Sequence, residues 1–207
     1  MFLSKPDILS RRSELFPIAD QFHLPCVGQV SYDLRVGNEV FLSEKRIPSR
    51  LSDEFPYVVL PPGQCALVKT YEKVRIPRDL IGLISIRSRF KFQGLINISG
   101  FHVDPTYEGN LIFSVQNVGP NDIRLDYKGA VFMLMLAELK TEYNGDPRPP
   151  GYDRIQLEQM AQLGGPSVTL MRLKRDLDGL SLTLKIYGAL AVALFGAVIG
   201  ALLHGLK

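Results

Sequence analysis

The sequence predicts a mostly β domain, closed as a sandwich or barrel, followed by one C-terminal transmembrane α-helix. Three observations carry that prediction. From about Gln29 to Leu139, short runs rich in β-branched and aromatic residues recur at roughly even spacing. Turns containing Gly and Pro separate them, which is the pattern of a sandwich or barrel and not of alternating strand–helix units. Further on, Ile186 to Leu203 runs for 18 residues without a charge.

The chain has 207 residues, 46% hydrophobic and 22% charged, enough for one packed domain with an appendage and too apolar for disorder throughout. Residues 1–28 read as a helical and irregular segment, with Leu3–Leu15 as a short helix. The β domain takes residues 29–143. Its strands are read at Tyr57–Leu60, Cys65–Thr70, Leu80–Ile86, Leu111–Asn117 and Ala130–Leu139. The turns between them are Pro61–Gly63, Ile76–Asp79, Val118–Asp122 and Tyr127–Gly129, where Gly, Pro, Asn and Asp supply the backbone angles of a reversal. Asn144–Gly151 holds too much proline for strand or helix, so residues 144–167 read as an arm rich in Pro and Gly.

The tail divides in two. In residues 168–185, Leu170, Leu173, Leu177, Leu180 and Leu184 alternate spacings of three and four, with Lys174, Arg175, Asp176 and Asp178 between them. That juxtamembrane seam suits either a short coiled coil or an amphipathic helix lying on its own domain or on the membrane surface, and Gly179 weakens it. Residues 186–204 form the membrane helix. Its apolar run spans about 27 Å, close to the ~30 Å hydrocarbon core of a bilayer. No proline interrupts it, and a helix satisfies its own backbone in lipid. Tyr187 stands where an interfacial aromatic would, and Gly188, Val192, Gly196 and Gly200 make a stripe that permits close helix contact.

Charge orients this tail. Five cations and two anions from Ser167 onward account for the whole net charge of +3. The positive-inside rule then places the globular domain in the cytoplasm, held by a single-pass C-terminal anchor. A neutral body argues against general nucleic-acid binding, which depends on basic surface. Cys26 and Cys65 are too few for a disulfide framework or a Cys-based zinc cluster and fit a reducing compartment. His23 and His102 have no partner at metal-ligand spacing, and a lone His is more often packed than functional.

An ordered set of short motifs runs along the β domain. Ser31–Gly37 (SYDLRVG) comes first, then Pro61–Gly63, Thr70–Val74 and Ile76-Pro77. Arg87-Ser88, Gly94-Leu95, Asp104–Asn110 (DPTYEGN) and Asn117–Gly119 follow. In this order the set resembles the dCTP deaminase and dUTPase superfamily over roughly Ser31 to Leu139. The resemblance implies a dUTPase-like distorted β-barrel or jelly-roll, a homotrimer, and nucleotide sites shared between subunits. It assigns Asp104 to the carboxylate that positions or activates a water, a role suited to a proton acceptor. It assigns Tyr107 to the aromatic that packs on deoxyribose. Asp33 would stand near a metal–triphosphate, with Mg²⁺ reached through a water, and Arg87 and Ser88 would grip phosphate oxygens. Ordinary turn chemistry is the alternative account of Asp104 and Tyr107 when the motif is read alone.

The departures bear on activity. The resemblance implies a Glu as general base on the strand after Gly109 in the deaminase branch, and that position holds Ser114. A hydroxyl of pKa far above neutral does not replace a carboxylate base. Glu108, before Gly109, reads as a turn residue. Arg89 follows Arg87-Ser88 where a small residue is usual, Phe92 replaces a second Arg, and Gly129–Leu134 is wholly apolar after its Gly. Gln162–Ser167 loosely resembles the deaminase tail that closes over nucleotide, with Gln162 as a ligand contact. Arg89 and Lys91 keep an anionic ligand in play. Three readings stand: a membrane-anchored nucleotide sensor or effector with a degenerate site, a tethered dUTPase-like pyrophosphohydrolase or dCTP deaminase, and a trimeric scaffold for a partner protein.

Overall fold

A computed structural model of the chain describes residues 1–165 and 170–205. The expected arm end at Ser167 and the start of the tail at residue 168 lie outside the described residues, as do the side chains of Leu170, Arg172 and Arg175. Two compact units result, Met1–Ser167 and Val168–Lys207.

The first unit opens with α1 (Lys5–Ser10) and α2 (Arg12–Leu15). Strands β1 (Tyr32–Leu42), β2 (Ser49–Arg50), β3 (Tyr57–Leu60), β4 (Cys65–Arg75) and β5 (Leu80–Ile86) follow, then a single turn of helix, α3 (Ser88–Lys91). After it come β6 (Leu95–Asn97), β7 (His102–Val103), β8 (Glu108–Asn117), β9 (Ile123–Asp126), β10 (Ala130–Glu138) and α4 (Leu157–Leu163). Seven strands lie in the order β6-β8-β4-β1-β10-β5-β7, with β2 on β1; β3 and β9 form a separate pair. All the pairings are antiparallel. The fold is mostly β, as expected, with the sheet curled into a half-barrel. The predicted β3 and β5 agree in full, while β4 and β8 are longer than their apolar runs.

Alternation decides what the sheet buries. Phe113 and Val115 of β8 point inward, and Phe113 stacks on Phe132 of β10 at 3.8 Å between ring centroids. Ile8, Leu15 and Phe16 of the N-terminal segment join the same core. Arg11 ties that segment down through two bonds to Asp79 at 2.7 and 2.8 Å and one to Glu14 at 2.7 Å.

Three register shifts bend the sheet; besides one between Leu34 and Arg35, two bear on the site, the first in β1 between Val36 and Val40 and the second in β4 between Lys69 and Lys73. Gly37 makes the first possible, since a Cβ there would sit 2.6 Å from the Thr70 carbonyl oxygen. In the second, Thr70 and Glu72 are fully buried polar residues. The Asn110 amide donates to the carbonyls of Thr70 at 2.9 Å and Glu72 at 3.0 Å. The Glu72 carboxylate accepts from the Arg35 amide at 2.8 Å and from Arg35 Nε at 2.6 Å. At the far end of β8, Asn117 donates to the carbonyls of Leu60 and Asn121 at 2.9 and 2.8 Å and accepts from Gly119 at 3.0 Å.

The second unit is one helix, α5 (Leu170–Gly205), 36 residues without a break. It runs through Gly179, whose carbonyl accepts from Thr183 Oγ1 at 2.9 Å, so the two predicted tail segments form a single helix. Within it, Asp176–Ala197 has a mean hydropathy of 1.7 and is long and apolar enough to cross a membrane.

Candidate functional site

The sheet order brings two of the predicted residues together. Asp33 on β1 and Arg87 after β5 are neighbours across β10, and Arg87 Nε lies 3.2 Å from Asp33 Oδ2. Burial pushes the Asp33 carboxyl up, and Arg87 offsets part of that rise. Ser88 and Arg89 are exposed on α3, with Arg89 set over the Phe90 ring at 5.7 Å. Lys91 reaches Ser85 Oγ at 2.8 Å. Asp33 offers a single carboxylate that Arg87 already engages. Among the described residues no three His, Cys, Asp or Glu side chains converge on a point, so a resident metal does not fit here.

The turn from β7 to β8 holds Asp104 and Tyr107. The chain reverses through Thr106, a non-glycine residue at φ 67°. Asp104 is half-buried, and His102 Nε2 stands 3.2 Å from its Oδ1. Its other oxygen accepts from Arg148, a residue of the proline-rich arm. The Arg148 amide also donates to Thr106 Oγ1 at 2.9 Å, and Arg78 fixes the start of the arm through the carbonyls of Tyr143 and Gly145. The arm thus runs over this turn. Gly151 packs against the Tyr107 ring, where a Cβ would come within 2.6 Å of it. The Tyr107 hydroxyl donates to the Asn110 carbonyl at 2.5 Å, and burial pushes its pKa up to about 12. In a single chain, therefore, the tyrosine ring faces its own arm and not an open pocket.

Ser114 lies on the outward face of β8 with Ile112 and Gln116. Its carbonyl accepts from the amides of Ile98 and Ser99. Beside it, Ile112 packs with Met160 and Leu163 of α4 over Phe41, Leu67 and Ile155. Gln162 is exposed on α4, a helix where the sequence suggested a closing tail; Pro166 and Ser167 of that tail lie outside the described residues. Glu108 also needs correction. It is the first residue of β8, not a turn residue, because it pairs with Arg75 across the ladder. Arg75 Nε at 2.7 Å and Lys73 Nζ at 3.3 Å hold its carboxyl below the usual range.

Arg148, Glu72 and Asn110 were not found as a set by sequence reasoning. Asn110 and Glu72 lay inside quoted motifs, yet nothing local said that they meet across β4 and β8. Arg148 sits 44 residues from Asp104 and carried no signal beyond its proline-rich surroundings.

A curled antiparallel half-barrel with these motifs on one turn and one strand end is the architecture of a nucleotide-processing family. The family model described as dCTP deaminase-like matches residues 2–139, and the chain belongs to that family. The dCTP deaminase of Pyrococcus abyssi is 32% identical over 119 residues, covering 56% of this chain and 75% of the relative. That of Pyrococcus horikoshii is 38% identical over 110 residues, covering 53% and 68%. Among solved structures, the 2′-deoxycytidine 5′-triphosphate deaminase from Agrobacterium tumefaciens superposes with a TM-score of 0.53 at 16% identity. That match covers 65% of this chain and 47% of the other, so the chain spans about half the length of that protein and shares its fold.

Proposed function

We propose that this chain is a membrane-tethered, nucleotide-binding member of the family in which deaminase chemistry has lapsed, acting as a nucleotide sensor or effector. One observation carries the reading: the outward position on β8 that would bear the general base is Ser114. A hydroxyl with its ordinary pKa far above neutral does not take a proton from water at neutral pH. Glu108 is no substitute, since two cations engage it. Names of the relatives support a deoxynucleotide as ligand. Asp33, Arg87, Ser88, Arg89, Tyr107 and Gln162 are the contacts assigned to it, within a homotrimer, and Mg²⁺ would arrive with a triphosphate. The apolar stretch of α5 would hold the domain at a membrane, with the domain in the cytoplasm.

A second reading keeps a pyrophosphohydrolase centred on Asp104, favoured by the half-buried place of that carboxylate beside a tight turn. The test uses the full chain in detergent micelles with dCTP or dUTP and Mg²⁺, assaying bound nucleotide, ammonia and pyrophosphate. Binding without either product is expected. Pyrophosphate release that Asp104→Asn abolishes would establish the hydrolase instead. Ammonia release would overturn the lapsed-deaminase reading outright, and no binding at all would leave the scaffold reading. For the tether, release from membranes by alkaline carbonate would exclude a spanning helix.

A further inference from the structure

A groove of about 620 Å³ runs between the end of β1, the segment carrying β2, and β3 with the turn into β4. It shares no lining residue with the Asp104 turn or with the Asp33–Arg87 pair. The size falls in the range of small-molecule sites, roughly 300–1,000 Å³.

Gln64 lines the groove and is 5% exposed. Its backbone is fully used: the N–H donates to the Pro61 carbonyl at 3.2 Å and the carbonyl accepts from Asn117 at 3.1 Å. Its side-chain amide has no hydrogen-bond partner among the described residues. The tip of that amide therefore meets solvent in the groove, and a ligand edge could take the place of water there. Two aromatic residues line the same groove and are exposed, Phe55 at 64% and Tyr57 at 47%. The Arg124 guanidinium lies 3.8 Å from the Tyr57 ring centroid and fixes that ring in place. Lys45 and Arg50 add two exposed cations to the rim, Lys45 bonding Ser49 Oγ at 3.1 Å and Arg50 lying 3.5 Å from Glu39 Oε1, and Glu44 beside them is itself engaged.

We infer that this groove is a second binding site, for a small ligand joining a planar heterocycle with an amide-like edge to an anionic group. Nucleoside monophosphates carry that chemistry. A carboxamide presents a donor and an acceptor side by side, which matches the edge of a nucleobase. The rings cover the heterocycle, and the rim cations meet the phosphate. The inference stands apart from the function proposed for the Asp33–Arg87 pair and the Asp104 turn.

Calorimetric titration of the full chain in detergent micelles tests it. The probes are a panel of nucleoside monophosphates, the matching free nucleosides, and inorganic phosphate. At least one monophosphate should bind, the nucleoside and phosphate arms each more weakly. Phe55→Ala, an exposed change that leaves the core alone, should weaken binding by about tenfold or more, as should Gln64→Leu with circular dichroism confirming the fold. Asp104→Asn should leave it unchanged. No binding by any monophosphate overturns the site. So does binding that survives both groove variants, or binding that Asp104→Asn removes.

Discussion

Glu72 and Asp104 are both carboxylates held by arginine, and they play opposite parts. Glu72 is fully buried, receives two bonds from Arg35, and sits where β4 bulges under the Asn110 amide. Burial pushes its carboxyl up despite the arginine. Asp104 lies at a turn, half in solvent, and its arginine comes from an arm with 57% of the Arg148 side chain exposed. The first pair is part of the packing and cannot open without the sheet opening. The second can separate while the fold stays intact. Solvent access, not the identity of the partners, divides a structural carboxylate from one free to meet a ligand.

The largest effect should fall on the buried member. Glu72→Ala leaves Arg35 without its counter-charge and should cost about 3–5 kcal/mol of stability, whereas Asp104→Ala should cost under about 1 kcal/mol. Equal losses in thermal melts of the full chain would erase the contrast. Next, Asn110→Ala strips the donor from two buried carbonyls and should cost about 1–3 kcal/mol. A smaller change is expected from Arg148→Ala. Its thermal midpoint should move by no more than about 2–4 °C, since an exposed pair is worth ~1 kcal/mol at most. Amide exchange across residues 144–151 should speed up all the same; an unaltered exchange rate would show that Arg148 does not hold the arm.

The smallest effect concerns pH. Arg11 holds the Asp79 carboxyl below its usual range, chiefly by hydrogen bonding. A lowered carboxylate stabilises the fold above its unfolded pKa of about 4, and that contribution drains away as pH falls through the lowered value. Arg11→Ala should therefore melt below the parent at pH 7, and the gap should narrow in acid. Screening at this partly exposed pair limits the gap to a few tenths of a kcal/mol. A gap that widens in acid would reverse the assignment.

Legibility followed the same division. Strands β3 and β5 are apolar runs between Gly/Pro turns, so alternation alone located them. Strand β4 was cut short at Thr70 because Thr-Tyr-Glu-Lys reads as polar surface, while the fold buries Thr70 and Glu72 by giving each a partner from a distant strand. Strand β1 carries Asp33, Arg35, Asn38 and Glu39 and was legible as a motif without declaring itself a strand. At the site, residue types were readable from the motifs, but partnership was not. Asp33 meets Arg87 because β10 lies between their strands, and Asp104 meets Arg148 because the arm doubles back. Neither fact has a local signature.

Strand β8 is pegged at both ends by a buried asparagine, Asn110 toward its start and Asn117 at its close. A strand so fastened cannot slide by one residue, because each peg would lose its carbonyls at once. The orientation of every side chain along it is thereby locked, Ser114 included. Whatever a lineage places at position 114 will be presented to the same patch of surface, so chemistry there can be traded by a single codon change without rebuilding the scaffold.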